Sequence, residues 1–209
     1  MSKFYAVMRA IVAVIFRTLF RVKVQGIENI PKDNAVILCC NHISFTDPIF
    51  IGIFCPRQIH FMSKAELFKN KFVGWFLGKL GAFAVNRGTG DTSAMRSAVE
   101  IIERGSIMGI FPEGTRNSDG GAPKKAKAGV AMIAAHTKAN ILPAAIYRDG
   151  KLHLFSKTTI RFGNIITFEE LGLDAQEGAK KSALRYSSEY IMEKITQLWE
   201  KGHNGTYIS

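Results

Sequence analysis

A histidine and an aspartate, His42 and Asp47, stand five positions apart and could form a catalytic pair. Six apolar residues, 35–40, precede Asn41 and His42, and an unbroken apolar run of this length predicts a buried strand. Asp47 stands directly before Pro48, a pair that is typical of a helix start with the aspartate at the N-cap. A tight turn can then fold the carboxylate back onto the imidazole. Such a pair makes a general base, because the carboxylate fixes the tautomer and stabilises the imidazolium. A structural histidine bonded to a helix cap has the same spacing, so the pair alone leaves both interpretations open.

Polar and basic side chains also follow two other predicted strands. These residues are Asn86 and Arg87 after the strand at 82–85, and Glu113, Gly114, Thr115 and Arg116 after the strand at 106–111. In open α/β sheets, sites form just beyond the carboxyl ends of strands. Lys127 lies near the start of the next helix, where the helix dipole favours anions. Because guanidinium groups bind phosphate in a bidentate way and lysine adds a point charge, this set predicts a site for a phosphorylated substrate beside a histidine base.

Predicted helices and strands alternate along the chain and carry these residues at their ends. Helices are predicted over 48–55, 91–105, 129–138 and 177–201, and strands over 24–30, 35–40, 59–62, 82–85, 106–111, 141–146, 152–155 and 158–162. Pro143 interrupts the strand at 141–146, which we therefore expect to be an edge or bulged strand, and the last two strands are expected to pair. The alternation predicts an α/β fold, a single domain with a mixed, largely buried β-sheet flanked by helices.

The N-terminal segment predicts an amphipathic helix. Its apolar residues at helical spacing are Phe4, Met8, Ile11, Val12, Ile15 and Leu19, and its basic residues, Lys3, Arg9, Arg17 and Arg21, gather on the opposite side. The uncharged stretch 10–16 is far shorter than the ~20 residues that span a bilayer. We expect residues 1–23 to form a helix that lies in the membrane interface, and residues 24–209 to form the domain. The alternative is a helix packed on the domain, as most amphipathic helices are.

Composition restricts the partners and the compartment. The chain has 209 residues, with 28 basic and 17 acidic side chains, so its net charge is +11 and its partners are expected to be anionic. Nucleic acid is not expected, because the basic residues are not interleaved with aromatic residues as in single-strand binders. The cysteines are three, an odd number, and Cys39 and Cys40 are adjacent, which argues against a disulfide framework and favours a reducing compartment. No Cys/His cluster has the spacing of zinc ligands, and no phosphate-binding Walker loop or Gly-x-Ser-x-Gly motif is present.

Two blocks of sequence resemble a known family. Residues 41–47, NHISFTD, and residues 111–116, FPEGTR, are similar to the two signature blocks of the glycerolipid acyltransferases. More narrowly, the chain resembles the bacterial 1-acyl-glycerol-3-phosphate (lysophosphatidate) acyltransferases from about residue 26 to residue 163, and 64–77, 81–87 and 142–143 resemble lesser blocks. One departure is Ala126, where the family often has an aromatic residue before the lysine that matches Lys127.

The resemblance implies a reaction and a set of site residues. His42, oriented by Asp47, is expected to remove the proton from the sn-2 hydroxyl of lysophosphatidate, and the oxygen then attacks an acyl thioester of acyl-carrier protein or CoA without an acyl-enzyme. The implied glycerol-phosphate pocket is shaped by Glu113, Gly114, Thr115 and Arg116, with Arg87 and Lys127 as further phosphate ligands. No metal or other cofactor is implied. The expected product is phosphatidic acid, and the expected location is the anionic cytoplasmic face of the cell membrane, as a monotopic or peripheral protein.

Two other functions stay open. The first is acylation of another lyso-lipid or of glycerol 3-phosphate. Thr115 favours lysophosphatidate as the acceptor, because the glycerol-phosphate enzymes tend to have glycine at that position. The second is a non-catalytic basic module that binds a membrane or nucleic acid, which explains the charge but not the pairing of His42 with Asp47.

Overall fold

A mixed sheet forms the centre of the protein in the computed structural model, which describes residues 2–86, 92–173 and 180–203. Its strands within those ranges are β1 (Arg21–Gln25), β2 (Val36–Cys40), β3 (Ile59–Lys64), β4 (Phe83–Val85), β5 (Ile107–Ile110), β6 (Ile141–Arg148) and β7 (Lys157–Phe162). They lie side by side in the order β1-β7-β6-β2-β5-β3-β4. Neighbouring strands are parallel, except that β6 and β7 are antiparallel.

Helices cover both faces of the sheet. They are α1 (Lys3–Leu19), α2 (Asp47–Phe54), α3 (Lys71–Lys79), α4 (Thr92–Glu103), α5 (Gly129–Thr137) and α6 (Lys181–Glu200). Residues of α1 and α2 join the apolar cluster on one face, and residues of α4, α5 and α6 join the cluster on the other. The predicted α/β domain with a mixed, largely buried sheet is therefore confirmed.

Strand β2 lies in the middle of the sheet and has both faces covered. All five of its residues are fully buried. Because successive side chains of a strand point to opposite faces, Leu38 and Cys40 pack with Phe50 of α2, whereas Ile37 and Cys39 pack with the helices beyond the other face. A strand buried on both faces reads as a continuous apolar run, which is why this element is visible in the sequence.

Helix α1 packs on α2 with one of its faces. The Tyr5 hydroxyl donates to the carbonyl of Gly52 over 3.3 Å, and the rings of Phe16 and Phe50 lie 4.8 Å apart in edge-to-face contact. Arg9 lies on this contact face, where Nη1 donates to the carbonyl of Cys55 over 2.9 Å. The predicted helix is confirmed, and Arg9 lies opposite the exposed apolar residues, on the face that packs on α2, where its guanidinium satisfies the open carbonyl at the end of that helix.

The other face of α1 exposes apolar side chains. Val7, Ile11, Val14 and Ile15 are all exposed, Val14 to 67%. Phe4 connects this surface to α3, since its ring lies 6.0 Å from that of Trp75. Among the described residues, none of the helices combines the length and apolar character that crossing a membrane requires.

Strand β6 is an interior strand, so the predicted edge position is wrong. It pairs with β2 on one side and with β7 on the other. Pro143 is tolerated because it lies just beyond the end of the β7 ladder, which begins at the pair of Ala144 with Phe162. The Pro143 carbonyl accepts from the N–H of Gly163, so the Pro143 nitrogen also faces β7. The residues after Phe162 have already left the regular ladder there, so the missing N–H of proline breaks no strand pairing.

The predicted strand at 152–155 is also wrong. Leu154 and Phe155 are exposed, and Phe155 has a left-handed φ of 62°. The Phe155 N–H donates to the carbonyl of Leu19, which ties this loop to the end of α1. β6 extends instead to Arg148 and pairs with β7 through the residues that follow the loop.

Candidate active site

The two signature blocks begin at the carboxyl ends of neighbouring parallel strands. Cys39 of β2 is in register with Ile110 of β5, so the chain leaves both strands at the same edge of the sheet. The segment after β2 leads to α2, and we call residues 41–46 the first loop. The segment after β5 leads to α5, and we call residues 111–128 the second loop.

Asn41 fastens the start of the first loop to β6. Its side-chain Nδ2 donates to the carbonyl of Ile146 over 2.9 Å, and its Oδ1 accepts from the N–H of the same residue over 2.8 Å. The fully buried amide thus extends the pairing of β2 with β6 by one more residue. His42 leaves the sheet in a direction fixed by this contact, a role that the sequence analysis did not assign to Asn41.

His42 and Asp47 form the predicted pair. Nδ1 of His42 lies 2.9 Å from Oδ2 of Asp47. The same Oδ2 accepts from the N–H of Ile43 over 2.7 Å and from the N–H of Ser44 over 2.6 Å. Because an ionised carboxylate only accepts, Nδ1 carries the proton and Nε2 presents a lone pair. Asp47 is fully buried, whereas 11% of the His42 side chain remains exposed to an incoming substrate.

The sequence predicts Asp47 as the N-cap of α2, but this is wrong: Asp47 is the first residue of the helix, and Thr46 is the N-cap. The difference has a physical reason. The carboxylate turns back into the first loop, where it accepts the N–H groups of Ile43 and Ser44 instead of capping those of its own helix. A carboxylate in the first turn of a helix is also favoured by the helix dipole.

The second loop holds the main chain of His42 from the other side. The His42 N–H donates to Oε1 of Glu113 over 2.7 Å, and the His42 carbonyl accepts from the N–H of Asn117 over 2.6 Å. Glu113 Oε2 accepts from the N–H of Lys124 over 3.1 Å. Burial raises the pKa of the Glu113 carboxyl, and the N–H groups of His42 and Lys124 oppose that rise. Both carboxylate oxygens of Glu113 are therefore engaged by main-chain donors.

Aromatic rings enclose the imidazole on one side. The ring of Phe111 stacks on His42 with 4.1 Å between centroids, and Phe61 stacks behind Phe111 at 5.5 Å. Gly109 of β5 makes room for this arrangement, because a Cβ there would lie 2.5 Å from two ring atoms of Phe61. The stack limits the directions from which water and substrate reach the histidine.

Two predicted phosphate ligands of the second loop, Arg116 and Lys127, lie against residues of the two loops. Gly114 has a left-handed φ of 70°, and the Lys127 side chain lies across it: a Cβ on Gly114 would meet Lys127 Cδ at 2.8 Å. The Arg116 guanidinium lies 5.8 Å from the ring centroid of Phe45 in the first loop. Arg116 and Lys127 are exposed, as is Thr115. The predicted phosphate ligands therefore lie on the surface of the site, with Lys127 packed on the glycine.

Arg87, the remaining predicted phosphate ligand, lies outside the described residues. Asn86 directly follows β4, at the edge of the sheet and two strands away from β5. Lys64, the first residue of the lesser block at 64–77, ends β3, the strand between them. Within the described ranges, no three His, Cys, Asp or Glu side chains come together as a metal site.

Comparisons with known proteins agree with the geometry. The family model described as "Acyltransferase" matches residues 21–147. The 1-acyl-sn-glycerol-3-phosphate acyltransferase of Bacillus subtilis is 33% identical over 187 residues, which cover 85% of this chain and 91% of that protein. The enzyme of the same name from Streptococcus pneumoniae is 28% identical over 204 residues, covering 94% of this chain and 75% of the relative.

A solved structure has the same fold. The crystal structure of the 1-acyl-sn-glycerophosphate acyltransferase PlsC from Thermotoga maritima matches with a TM-score of 0.71 and 25% identity. The match covers 98% of this chain and 81% of that one. The similarity therefore includes α1 and α6 as well as the sheet.

Proposed function

This chain belongs to the acyltransferase family, and we propose that it transfers a fatty acyl group from an acyl thioester to the sn-2 hydroxyl of 1-acyl-glycerol-3-phosphate, forming phosphatidic acid. The names of its relatives support the choice of acceptor. The observation that carries the proposal is the buried Asp47 carboxylate, which orients His42 beside a loop of exposed cations.

His42 acts as the general base in the proposed reaction. Its Nε2 takes the proton of the sn-2 hydroxyl while the oxygen attacks the thioester carbonyl, and the tetrahedral intermediate then expels the thiolate. The imidazolium returns the proton to the thiolate, so the enzyme ends in its starting form. Asp47 stabilises the imidazolium between these two steps. A positioned base contributes about 10²–10⁴ in rate, and the alignment of the two substrates contributes further.

Direct transfer, without an acyl-enzyme, is part of the proposal. The hydroxyls of Ser44 and Thr46 bond each other over 2.9 Å instead of bonding His42. Burial, together with the charges of Asp47 and Glu113, raises the pKa of the Cys40 thiol well above its usual range. A thiol held neutral in this way is a poor nucleophile. An intact mass unchanged after incubation with the acyl thioester alone is the expected result, and a mass increased by one acyl group would contradict this step.

Arg116 and Lys127 bind the acceptor phosphate in the proposed complex. Both are exposed and lie at the same edge of the sheet as His42. Thr115 and Gly114 shape the pocket between them, and Glu113 supports it by holding the main chain at His42 and Lys124. Arg87 is a further proposed ligand. No metal or cofactor is required, because the thioester supplies an activated acyl group.

The acyl donor is acyl-carrier protein or CoA. Both are anionic and suit a chain of net charge +11. Assaying each thioester separately distinguishes them.

Membrane association is proposed for the exposed apolar surface of α1 and α3, formed by Val7, Ile11, Val14, Ile15, Phe72 and Trp75. The acceptor is a membrane lipid, so this surface brings the site to the cytoplasmic face of the bilayer as a peripheral or monotopic contact.

Deleting α1 is a poor test of membrane association, because its removal uncovers Phe50. Val14→Glu is expected to lower co-sedimentation with anionic vesicles. Met132→Glu, on an exposed apolar side chain of α5, is the matched control. Equal partitioning of both variants and the parent would contradict the proposal.

The experiment that tests the function is release of free thiol from an acyl thioester in the presence of detergent-solubilised lysophosphatidate. We expect release to require the acceptor and to fall about 10²–10⁴-fold in His42→Ala. His136→Ala, which removes an exposed histidine of α5, is the control and is expected to retain activity. Near-normal turnover in folded His42→Ala would remove His42 as the base.

The choice of acceptor decides between the remaining functions. Release with glycerol 3-phosphate or another lyso-lipid, but not with lysophosphatidate, would move the assignment to another acceptor. Folded protein that releases no thiol with any of these acceptors and either donor would favour a binding module.

A further inference from the structure

A buried arginine lies beneath the first turn of α2. Arg148 is the last residue of β6 and is only 3% exposed. Its Nε donates to the Thr158 hydroxyl over 3.0 Å, and its guanidinium carbon lies 5.3 Å from the ring centroid of Phe50. Phe50 follows Asp47 by three positions, which places the two residues on neighbouring parts of one helical face. The guanidinium therefore lies on the face of α2 that carries both Phe50 and Asp47.

Two buried polar atoms at this place have no hydrogen-bond partner among the described residues. They are Nη2 of Arg148 and Oδ1 of Asp47. Oδ2, the other oxygen of Asp47, bonds three donors of the first loop. An unpaired buried group is costly, and a buried charge more so, unless an opposite charge is near. Burial lowers the pKa of Arg148, and the charge of Asp47 opposes that change.

We propose that Arg148 is a positioning residue for the base, whose positive charge attracts the Asp47 carboxylate through space from the side of its unpaired Oδ1. It holds the carboxylate with Oδ2 aimed at Nδ1 of His42. Arg148 does not touch the substrate. The inference deepens the proposed function and rests on it, because it requires His42 to be the base.

Other charged groups around α2 have different positions. Glu113 faces the main chain of His42, and its second oxygen binds the N–H of Lys124. From α1, Arg17 lies over the ring of Phe54 and Arg9 bonds the carbonyl of Cys55, both at the far end of α2. Arg148 is the cation that enters from β6, beneath the end of α2 where the pair lies.

Removing a cation beside the pair has a defined effect on its titration. Without the positive charge, protonation of the neighbouring base is opposed less strongly. Since kcat/KM reports the free enzyme, its acidic limb moves to higher pH. A purely structural role of Arg148 lowers stability but leaves the position of that limb unchanged.

The test compares pH profiles of kcat/KM for purified full-length variants. Arg148→Met is expected to move the acidic limb up by about one pH unit and to lower kcat by roughly tenfold to hundredfold. Arg148→Gln is expected to move the limb in the same way, so the test does not depend on the folding of one variant. Arg148→Lys keeps the charge and is expected to keep the limb within a few tenths of a unit of the parent.

Arg161→Met is the matched control. Arg161 is a buried arginine of the neighbouring strand β7, and it bonds the carbonyls of Leu198 and Gly202 at the end of α6. We expect it to lower the melting temperature and leave the limb in place. An unmoved limb in folded Arg148→Met or Arg148→Gln, or an equal shift in Arg148→Lys, overturns the inference. Because His42→Ala is measured alongside, loss of the proposed base is recognised separately.

Discussion

The two loops that meet at the site are built in opposite ways. The side chains that hold His42 in the first loop are buried: Asn41 and Asp47, the residue that directly follows the loop, together take part in five hydrogen bonds that fix the direction of His42. In the second loop Thr115, Arg116 and Lys127 are exposed to solvent. Of the polar residues of that loop only Glu113 and Asn117 are buried, and both bond the main chain of His42.

The two loops have different tasks, since one orients the base and the other offers cations to the phosphate. A base must hold its geometry before the substrate arrives, because reorganisation during the reaction raises the barrier. Cations that bind a phosphate can remain hydrated until the phosphate replaces their water. Substitutions in the first loop should therefore act on kcat, and substitutions of the exposed cations on the KM of the acceptor.

Asp47→Asn should give the largest effect in this comparison. An asparagine amide can donate to Nδ1 of His42, which leaves the proton on Nε2 and removes the base. We expect kcat to fall by about 10²–10⁴-fold with little change in acceptor KM. Steady-state kinetics with circular dichroism to check folding measure this, and Asp119→Asn in the exposed part of the second loop is the control. Comparable activity of the two variants would refute the division of work.

Arg116→Gln and Lys127→Gln should have intermediate effects of a different kind. Each removes one charged ligand of the phosphate, so the acceptor KM should rise by roughly 10-fold, while kcat changes by less than about 3-fold. Lys32→Gln removes an exposed lysine that precedes β2, at the opposite end of that strand from His42, and should leave both constants unchanged. A fall in kcat at constant KM would mean that these cations act on the reacting groups.

Glu113→Gln should show the smallest effect, in the pH dependence of stability. The folded-state pKa of Glu113 is raised above the value of 4.5 for a free side chain, so the folded protein binds more protons than the unfolded chain between these two values. The free energy of unfolding of the parent should therefore fall, relative to Glu113→Gln, as pH rises through this interval. Urea titrations across it test the sign, with Glu100→Gln on the surface of α4 as the control. A relative rise would contradict the burial effect on Glu113.

The local part of the fold could be predicted from sequence. β2 is a continuous apolar run, and α4 has an apolar residue at each turn, so each is recognisable without its neighbours. Whether a strand with Pro143 can lie inside the sheet depends on where its neighbour β7 ends. Whether 152–155 forms a strand depends on whether a partner strand is available to pair with it. Neither piece of information lies within the segment itself.

The same limit applies to the site. His42 and Asp47 are five residues apart, and the loop between them is short enough for spacing to predict contact. Asn41 bonds Ile146 of β6, which is 105 positions away in the sequence. Arg148, at the end of the same strand, lies against Phe50 of α2. A buried arginine has no mark in the sequence that separates it from an exposed one, so only the strand order could reveal it.

Gly109 connects the interior of the sheet to the reactivity of the imidazole. A methyl group at this position would press on the Phe61 ring, which stacks on Phe111, and Phe111 in turn lies against His42. A screen for inactive variants should thus recover substitutions of Gly109 as well as substitutions of His42, although Gly109 lies inside a core strand. Substitutions in this column of rings can therefore change the turnover rate by moving the base, while every polar residue of the site stays the same.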